Sequence, residues 1–399
     1  MSLDNNIPKG WVETTLGEVV GFVVDNRGKT PPLSEDEEYE LLEVNAVGEG
    51  AREPDYSKVS KFVDKNTFET WFRKGTVKQG DVLIPTVGTI GNAVYSKQER
   101  GAIAQNLIAL RVNENNDAMF LYYFMSNPVT KRMLLKLDIG GVQPSIKVPH
   151  LLEMQVLFPL KDEQTAIAKI LTAFDDKIEL LQAQNKTLET TAQTIFKEWF
   201  GKYQIGDELP DGWRVGKLGE VVELFDSKRI PLSKAQREEK KGQYRYFGAT
   251  SVMDYVDDYL FDGVYLLFAE DGSVIDDNGH PFLQYVWGKF WVNNHTHILK
   301  GKNGFSTEML YVLSKKMRVA GIVNGAVQLK INQKNLLGFE IVIPSDNILL
   351  EFDSIIQPLF SKLRINHNQI QALKQTRDTL LPKLMSGALR VNEFKENAV

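Results

Sequence analysis

The sequence predicts an α+β protein with two mainly β globules and two long helices that pair as an antiparallel coiled coil, in a pseudo-twofold internal repeat. Three observations support this prediction. Two blocks of the chain occur twice, the segments between them have strand and turn patterns, and a heptad pattern follows each segment. The predicted domains are a first globule at 1–160, a central long helix at 161–203, a second globule at 204–345, and a C-terminal long helix at 346–399 that pairs with the central helix.

The start and the end of each globule recur. The stretch "IPKGWVETTLGEVV" at 7–20 reappears as "LPDGWRVGKLGEVV" at 209–222, and "GGVQPSIKVPHLLEMQVLFPL" at 140–160 matches "GAVQLKINQKNLLGFEIVIPS" at 325–345. The first match is offset by 202 positions and the second by 185, so the two globules differ in length between their shared ends. A shared frame around a divergent middle predicts that the middle acts differently in each copy.

The middle of each globule has the pattern of short strands and turns. In "GDVLIPTVGTIGNAVYS" and "GVYLLFAEDGSV", β-rich runs are broken by Gly. Short helical patterns intervene, as in "AMFLYYFMSN" and "TEMLYVLSKKM". We therefore expect each globule to be mixed, with strands predominating.

A heptad pattern follows each globule and predicts a long helix with one apolar seam. Burying each Leu or Ile is worth roughly 1.5–3 kcal/mol, so the two seams should pair with each other. Three polar residues interrupt the seam, Asn185, Asn366 and Arg377, and they are either tolerated near helix ends or bends or fix the register of the pair. The predicted seam consists of Ile167, Leu171, Phe174, Ile178, Leu181, Asn185, Leu188, Ile195, Phe352, Ile356, Leu359, Leu363, Asn366, Ile370, Leu373, Leu380 and Leu384.

Composition limits the class of protein. The chain has no Cys, which excludes disulfides, thiolate metal sites and cysteine nucleophiles. Its net charge of −5 gives no support for nucleic-acid binding, since such proteins are often basic. We expect no secretory signal in "MSLDNNIPKGW" and no membrane span, because no apolar run approaches about 18 residues, and the expected location is cytoplasmic.

Catalytic motifs are missing from the sequence. "DNRGKT" at 25–30 ends like a phosphate-binding loop, but Val23 stands where that pattern requires Gly. The pair His295 and His297 would lie on one face of a strand, where hydrogen bonding is a better explanation than a metal site. We expect no metal, no catalytic residue and no cofactor in this chain.

The duplicated architecture resembles the specificity subunit of type I restriction–modification systems. The residues that carry the resemblance are the two "GW" openings, "GDVLIPTVGTIGNA", "GGVQPSIKVPHLLEMQVLFPLKDEQTAIAKIL", "DDKIELLQAQNKTLETTAQTIFKEWF" and "LKQTRDTLLPKLMSGAL". The match covers nearly the whole chain. It departs from a perfect duplication where "DEQ" at the first helix entry becomes "DNI" at the second, and in the middle of the second globule.

The resemblance implies a non-catalytic, DNA-binding subunit of a prokaryotic restriction system. In that family each globule is a target-recognition domain for one half of a split sequence in double-stranded DNA, and the coiled coil sets the spacing. Two methyltransferase subunits that carry S-adenosylmethionine dock on the helices and globules. Restriction subunits, which use ATP and Mg, join the larger assembly. The two divergent middles imply an asymmetric DNA target.

Loops between strands are the favoured places for DNA contacts. Gln and Asn pair with adenine, and Arg and Lys with guanine, through two hydrogen bonds in the major groove. Gln143 and Gln328 recur in both copies, which favours a frame role for them. The candidate DNA contacts are Arg27, Lys29, Thr89, Asn92, Gln105, Asn106, Gln143, Ser145 and Lys147 in the first globule, and Lys228, Arg229, Ser273, Asn294, His295, His297, Gln328 and Lys330 in the second.

A second hypothesis belongs to a different class of protein. The chain could be a structural scaffold in which the coiled coil joins two folded heads that have no DNA role. The divergent middle between repeated ends favours the DNA reader, because a scaffold has no reason to vary that segment alone.

Overall fold

The computed structural model describes residues 7–138, 140, 143–325 and 328–391. The chain forms two compact units, the first made of residues up to Glu179 together with those from Gln371 onward, and the second of Leu180–Ile370. Each unit therefore contains one globule and a portion of each long helix. The domain boundaries predicted from the sequence, at 160, 203 and 345, separate each long helix from the globules instead. Residues 1–6 and 392–399 of the expected outer domains lie outside the described residues.

The first globule and the helix that follows it have the following elements in chain order. They are β1 (Trp11–Thr15), α1 (Leu16–Val19), β2 (Val20–Val24), β3 (Tyr39–Leu42), β4 (Phe62–Val63), α2 (Lys65–Thr70), β5 (Val82–Pro85), β6 (Val94–Tyr95), β7 (Ala102–Ile103), β8 (Leu107–Val112), α3 (Ala118–Ser126), α4 (Pro128–Leu135), α5 (Val148–Leu152), β9 (Gln155–Pro159) and α6 (Lys161–Phe200), with short 3-10 turns at Val44–Ala46 and Tyr56–Lys58.

The second globule and its helix continue the series. The elements are β10 (Arg214–Lys217), α7 (Leu218–Val221), β11 (Val222–Leu224), α8 (Lys234–Glu239), β12 (Lys241–Phe247), β13 (Val252–Val256), β14 (Phe261–Asp262), β15 (Tyr265–Ala269), β16 (Leu283–Val286), β17 (Lys289–Val292), β18 (Thr296–Gly301), α9 (Thr307–Ser314), α10 (Gln333–Leu337), β19 (Glu340–Ile343) and α11 (Asp346–Met385), with 3-10 turns at Asp226–Lys228 and Ala320–Ile322.

The sheets show the internal repeat directly. A sheet of order β2-β8-β5-β6 in the first globule has a counterpart of order β11-β18-β15-β16 in the second. A further sheet has three strands in the first globule, in the order β4-β3-β7, and four in the second, in the order β13-β12-β17-β14. The first of these sheets therefore belongs to the shared frame, whereas the further sheet differs in its number of strands.

The repeated end blocks pair with each other in each globule. β1 runs antiparallel to β9 with Trp11 opposite Pro159, and β10 runs antiparallel to β19 with Arg214 opposite Ile343. A Cβ added at Gly17 or at Gly219 would lie 3.1 Å from a backbone carbonyl oxygen, of Leu152 or of Leu337 respectively. This close approach explains why glycine recurs at that position.

Each globule has its own apolar core that extends onto the helices of its unit. In the first, Leu16, Ile108 and Phe120 pack with side chains of the two helices. In the second, Leu218, Leu299 and Phe352 belong to the equivalent cluster. Because burial of such a side chain is worth roughly 1.5–3 kcal/mol, the helices and the globule of one unit stabilise each other.

The two long helices, α6 and α11, each have 40 residues, which corresponds to about 60 Å of helix. In the second unit they pack antiparallel, since Asn185 contacts Asn366 while Phe200, further along α6, contacts Phe352, earlier in α11. In the first unit Asp175 pairs with Arg377, and Glu163 pairs with Arg390 just beyond α11, so the direction is again antiparallel.

All the predicted seam side chains are at least half-buried on the two helices. The buried ones are Ile167, Leu171, Ile178, Leu181, Phe352, Ile356, Asn366, Ile370 and Leu384, and the half-buried ones are Phe174, Asn185, Leu188, Ile195, Leu359, Leu363, Leu373 and Leu380. The predicted fold class, two mainly β globules with two long antiparallel helices, is confirmed. Within the described residues, no helix has the length and apolar character that a membrane span requires.

Candidate nucleic-acid interface

Four loops of the first unit meet at one surface, which we call the first loop cluster: residues 25–30, 86–92, 105–106 and 143–147. Backbone hydrogen bonds join the last three of these loops. Thr86 N–H donates to the carbonyl oxygen of Asn106 (2.8 Å), Ile146 N–H to that of Thr86 (2.9 Å), and Gly88 N–H to that of Pro144 (3.0 Å). Many of the predicted contact residues of this globule therefore lie on one hydrogen-bonded frame.

The second unit has an equivalent surface, the second loop cluster: residues 226–229, 270–273, 294–297 and 328–331. Glu270 N–H donates to the carbonyl oxygen of His295 (2.9 Å), Ile331 N–H to that of Glu270 (2.9 Å), and Gly272 N–H to that of Leu329 (3.0 Å). These three bonds repeat the frame of the first loop cluster. Glu270 occupies the place of Thr86, and His295 occupies the place of Asn106.

Arg27 is held rigidly in the first loop cluster. Its Nε and Nη2 donate to the two carboxylate oxygens of Asp25 at 2.7 and 2.8 Å, and its Nη1 donates to the hydroxyl oxygen of Thr86 at 3.2 Å. The hydrogen bond from Arg27 holds the pKa of Asp25 below its usual value, although partial burial opposes this. Asp25 is therefore a charged, bidentate partner for the guanidinium at neutral pH.

Arg229 is engaged on more sides. Its Nε donates to the backbone carbonyl of Asp226 at 3.0 Å, and its Nη1 donates to Glu270 (2.6 Å) and to the carbonyls of Thr296 (2.9 Å) and Asn294 (3.2 Å). Nη2 lies 3.5 Å from the Asp226 carboxylate. The structure places Arg229 as a residue that ties the loops of the second cluster together.

His297 is buried, which removes it from the candidate base contacts. Its Nδ1 lies 2.6 Å from a carboxylate oxygen of Asp226, and its Nε2 lies 2.7 Å from the carbonyl oxygen of Ile331. Both ring nitrogens are therefore engaged within the protein. His295 precedes β18 and is exposed, so the two histidines do not share a face, contrary to the sequence-based expectation.

One cluster has the spacing of a possible metal site. It consists of Asp226, Glu270 and His297, and one ligand atom from each residue lies within 4.8 Å of the other two. These groups already have protein partners. Gln333 donates to Asp226 at 2.8 Å, and Arg229 donates to Glu270. Burial, the largest single influence, raises the pKa of Asp226, but the hydrogen bonds from His297, the Ile298 N–H and Gln333, with the electrostatic attraction of His297, together outweigh it, so the pKa lies below its usual value. The cluster has the bonding of an ion-pair network.

The other candidate contacts have several environments. Gln105 donates to the Thr30 hydroxyl (3.1 Å), the Ser145 N–H donates to Asp138 (2.8 Å), and Lys330 pairs with Glu270 and Asp271. Asn92 donates weakly to the carbonyl of Val47. Half-buried candidates are Asn92, Gln105 and Ser145, and exposed ones are Lys29, Thr89, Asn106, Gln143, Lys147, Lys228, Ser273, Asn294, His295, Gln328 and Lys330.

The structure adds one aromatic and two cationic residues that were not among the candidate contacts. Trp71, Arg73 and Lys74 line a cavity of about 690 Å³ together with Arg27 and Lys29. The run "WFRKG" interleaves aromatic and basic residues, a pattern common in nucleic-acid binding, and was the available signal.

A second missed residue is Arg245 in the other unit. Its guanidinium donates to the Trp287 carbonyl (2.6 Å) and lies 5.6 Å from the centre of that ring. Burial lowers the pKa of Arg245 below its usual value. No carboxylate of the described residues forms an ion pair with it.

The duplicated globules, the two loop clusters and the paired helices define a class of protein, and comparison with known families agrees. Residues 8–190 and 210–375 match the family model described as the type I restriction modification DNA specificity domain. The chain belongs to this family. Its specificity subunits are non-catalytic recognition subunits with no cofactor of their own, so the chain has a role in DNA target recognition and is not an enzyme by itself.

Individual relatives come from curated proteins and from solved structures. The MjaIX type I restriction enzyme specificity subunit of Methanocaldococcus jannaschii is 29% identical over 310 residues, which cover 69% of this chain and 70% of the relative. The MjaVIII specificity subunit of the same organism is 25% identical over 239 residues, covering 57% and 52%. The crystal structure of an S subunit from M. genitalium superposes with a TM-score of 0.60 at 19% identity, covering 96% of this chain and 98% of that one, and supports the fold.

Proposed function

We propose that this chain is the sequence-reading subunit of a type I restriction–modification complex, and that each globule reads one half of an asymmetric, bipartite target in double-stranded DNA. The observation that carries the proposal is the repeated frame. The same three backbone hydrogen bonds present Thr86 and Asn106 in one unit, and Glu270 and His295 in the other. Base edges are read by side chains, so one frame with different side chains suits two different half-sites.

The long helices are the proposed spacer. Two readers can contact one face of B-DNA only if their separation suits its repeat of about 34–36 Å or a multiple of it. A pair of 40-residue helices, stabilised along a buried seam, has the stiffness for this task. We propose that helix length, rather than any base contact, fixes the number of unread base pairs.

The same helices are the proposed docking site for two methyltransferase subunits. Leu180 on α6 and Ile365 on α11 are 185 positions apart, the offset of the repeat, and both are exposed, at 51% and 59%. An exposed aliphatic side chain at the same place in each copy suits one kind of partner that binds twice. S-adenosylmethionine would be bound by these partners, and ATP and Mg by restriction subunits in a larger cytoplasmic assembly of a prokaryotic cell.

A segment exchange tests the reader hypothesis. Residues 210–340 are replaced by the equivalent segment of another specificity subunit, and the methylated motif is determined by single-molecule sequencing of host DNA. We expect one half of the motif to change while the other half and the gap stay the same.

The reciprocal exchange of residues 8–138 is the control and should change the other half alone. If both halves change in either exchange, or neither does, the proposal fails. A complex with no sequence-dependent methylation or protection of DNA would support the scaffold hypothesis instead.

A further inference from the structure

Arg27 and Arg229 lie in corresponding loops of the two globules, the loop that follows β2 and the loop that follows β11. Their side chains have different surroundings. The side chain of Arg27 is 28% exposed, whereas that of Arg229 is 14% exposed. The two guanidinium groups therefore differ in how many N–H groups they can offer to a ligand.

A guanidinium has five N–H donors: one on Nε and two on each terminal nitrogen. Arg27 uses Nε–H and one N–H of Nη2 for Asp25, and one N–H of Nη1 for Thr86. Two N–H groups, one on each terminal nitrogen, are engaged by no residue that the structure describes. That number and placement suit a ligand that offers two adjacent acceptors.

Arg229 has no such pair of free donors. Its Nη1 is shared among Glu270 and the carbonyl oxygens of Thr296 and Asn294, all within 3.2 Å. Both N–H groups of Nη1 are therefore committed within the protein. Part of the difference comes from the frame, because Glu270 is a carboxylate where Thr86 is a hydroxyl, and part comes from the two carbonyl oxygens that also accept from Nη1 of Arg229.

We propose that Arg27 reads a guanine in the half-site of the first globule, and that Arg229 reads no base. This inference rests on the proposed function. The two free N–H groups of Arg27 meet O6 and N7 of guanine, the adjacent acceptors of its major-groove edge. Adenine presents an amino donor in place of O6, so it repels one of the two N–H groups.

Asp25 is a positioning residue for this contact. Its two oxygens hold the plane of the guanidinium before DNA binds, so little side-chain entropy is lost on binding. Arg27→Lys would keep the positive charge but lose the planar guanidinium with its paired N–H donors. The charge alone would serve a phosphate equally well, which provides a way to separate the two roles.

The test uses the full complex with its modification subunits, and reads the methylated motif by single-molecule sequencing. For Arg27→Ala and Arg27→Lys we expect one position of the first half-site to accept bases other than guanine, with a loss of discrimination of roughly 5- to 150-fold there and unchanged stringency elsewhere. Asp25→Asn should relax the same position to a smaller degree. Arg132→Ala, which removes an exposed arginine of α4 in the same unit, is the matched control and should leave the motif unchanged.

Several outcomes would overturn the inference. One is a wild-type first half-site, assigned by the segment exchange, that contains no G·C pair. Others are an unchanged motif in both Arg27 variants, or full retention of discrimination by Arg27→Lys together with a lower salt dependence of binding in Arg27→Ala, which would identify a phosphate contact. If Arg27→Ala does not assemble, Arg27→Lys and Asp25→Asn decide. A wild-type complex with no sequence preference would instead reject the proposed function.

Discussion

Asn366 donates a hydrogen bond to Asn185 between the paired helices of the second unit, with the amide nitrogen 3.0 Å from the amide oxygen. Asn366 is fully buried, and Asn185 also donates to the carbonyl of Leu363. A buried polar pair in an apolar seam costs stability, and the amide oxygen of Asn366 has no hydrogen-bond partner among the described residues. Its amide nitrogen reaches Asn185 only when the two residues face each other. This arrangement is the one that the register hypothesis requires.

Substitution of the asparagine pair tests whether it stabilises the fold or costs stability. Asn366→Ala should lower the free energy of unfolding by about 1–3 kcal/mol, because it leaves a buried amide without its partner. The double change of Asn185 and Asn366 to Leu should restore or raise the melting temperature, since two apolar groups replace both partners. Circular dichroism melting checks both. A double variant less stable than Asn366→Ala would show that the pair is a net stabiliser.

The ion pair between Arg377 and Asp175 should contribute to the stability of the first unit. Asp175 is buried and also accepts from the Tyr123 hydroxyl at 2.7 Å, and burial together with this carboxylate raises the pKa of Tyr123 above its usual value. Arg377→Ala leaves the carboxylate without its cation, so we expect a loss of about 2–3 kcal/mol, moderated by the partial exposure of Arg377.

A double-mutant cycle with Asp175→Asn, followed by urea unfolding, measures this interaction. The double variant should lose less than the sum of the two single variants, because no buried charge remains. Additive losses would mean that the two side chains contribute independently.

Docking on the helices can be tested without disturbing the fold. Leu180→Asp and Ile365→Asp change exposed side chains, so the free energy of unfolding should change by no more than about 0.5 kcal/mol. Each variant should weaken co-purification with the methyltransferase subunits, and the double variant should abolish it. Leu350→Asp, at another exposed position of α11, is the matched control. Normal assembly of the double variant would exclude these residues as the docking site.

The buried network around Asp226 predicts sensitivity to acid. The pKa of Asp226 lies below its usual value in the folded chain, so its contribution to stability is present above the unfolded value of about 4 and is lost as the pH falls through the folded value. The charged and titratable groups around it are His297, Glu270 and Arg229.

Melting curves between pH 7 and pH 3 test this prediction. Asp226→Asn should melt lower than the wild type at pH 7, and the difference should shrink as the pH falls below about 4, because the unfolded carboxylate then binds a proton that the folded one resists. A difference that stays constant with pH would show that Asp226 acts only through neutral hydrogen bonds.

The parts of the fold that follow from periodicity and repetition were open to prediction. The seam repeats every three and four residues, so one face of each helix is visible in the sequence. The end blocks recur because β1 must pair with β9 and β10 with β19, and because Gly17 and Gly219 approach a backbone carbonyl. These are constraints within one element or between two repeated ones.

The availability of individual site residues could not be predicted. Arg27 and Arg229 lie in corresponding loops, but a partner that distinguishes them lies 59 positions away in one case and 41 in the other. His297 fails as a contact for the same reason, since its burial depends on Asp226 and Ile331. Contacts of this kind depend on tertiary packing, which a single sequence does not display.

The antiparallel pairing of the first and last strands of each globule has an evolutionary consequence. The chain enters and leaves each globule through neighbouring strands, so the intervening gene segment encodes a module whose two ends already meet. Recombination at the repeated blocks could replace such a module in one event while the helices stay intact. A lineage would in this way acquire a new recognition globule without passing through a misfolded intermediate.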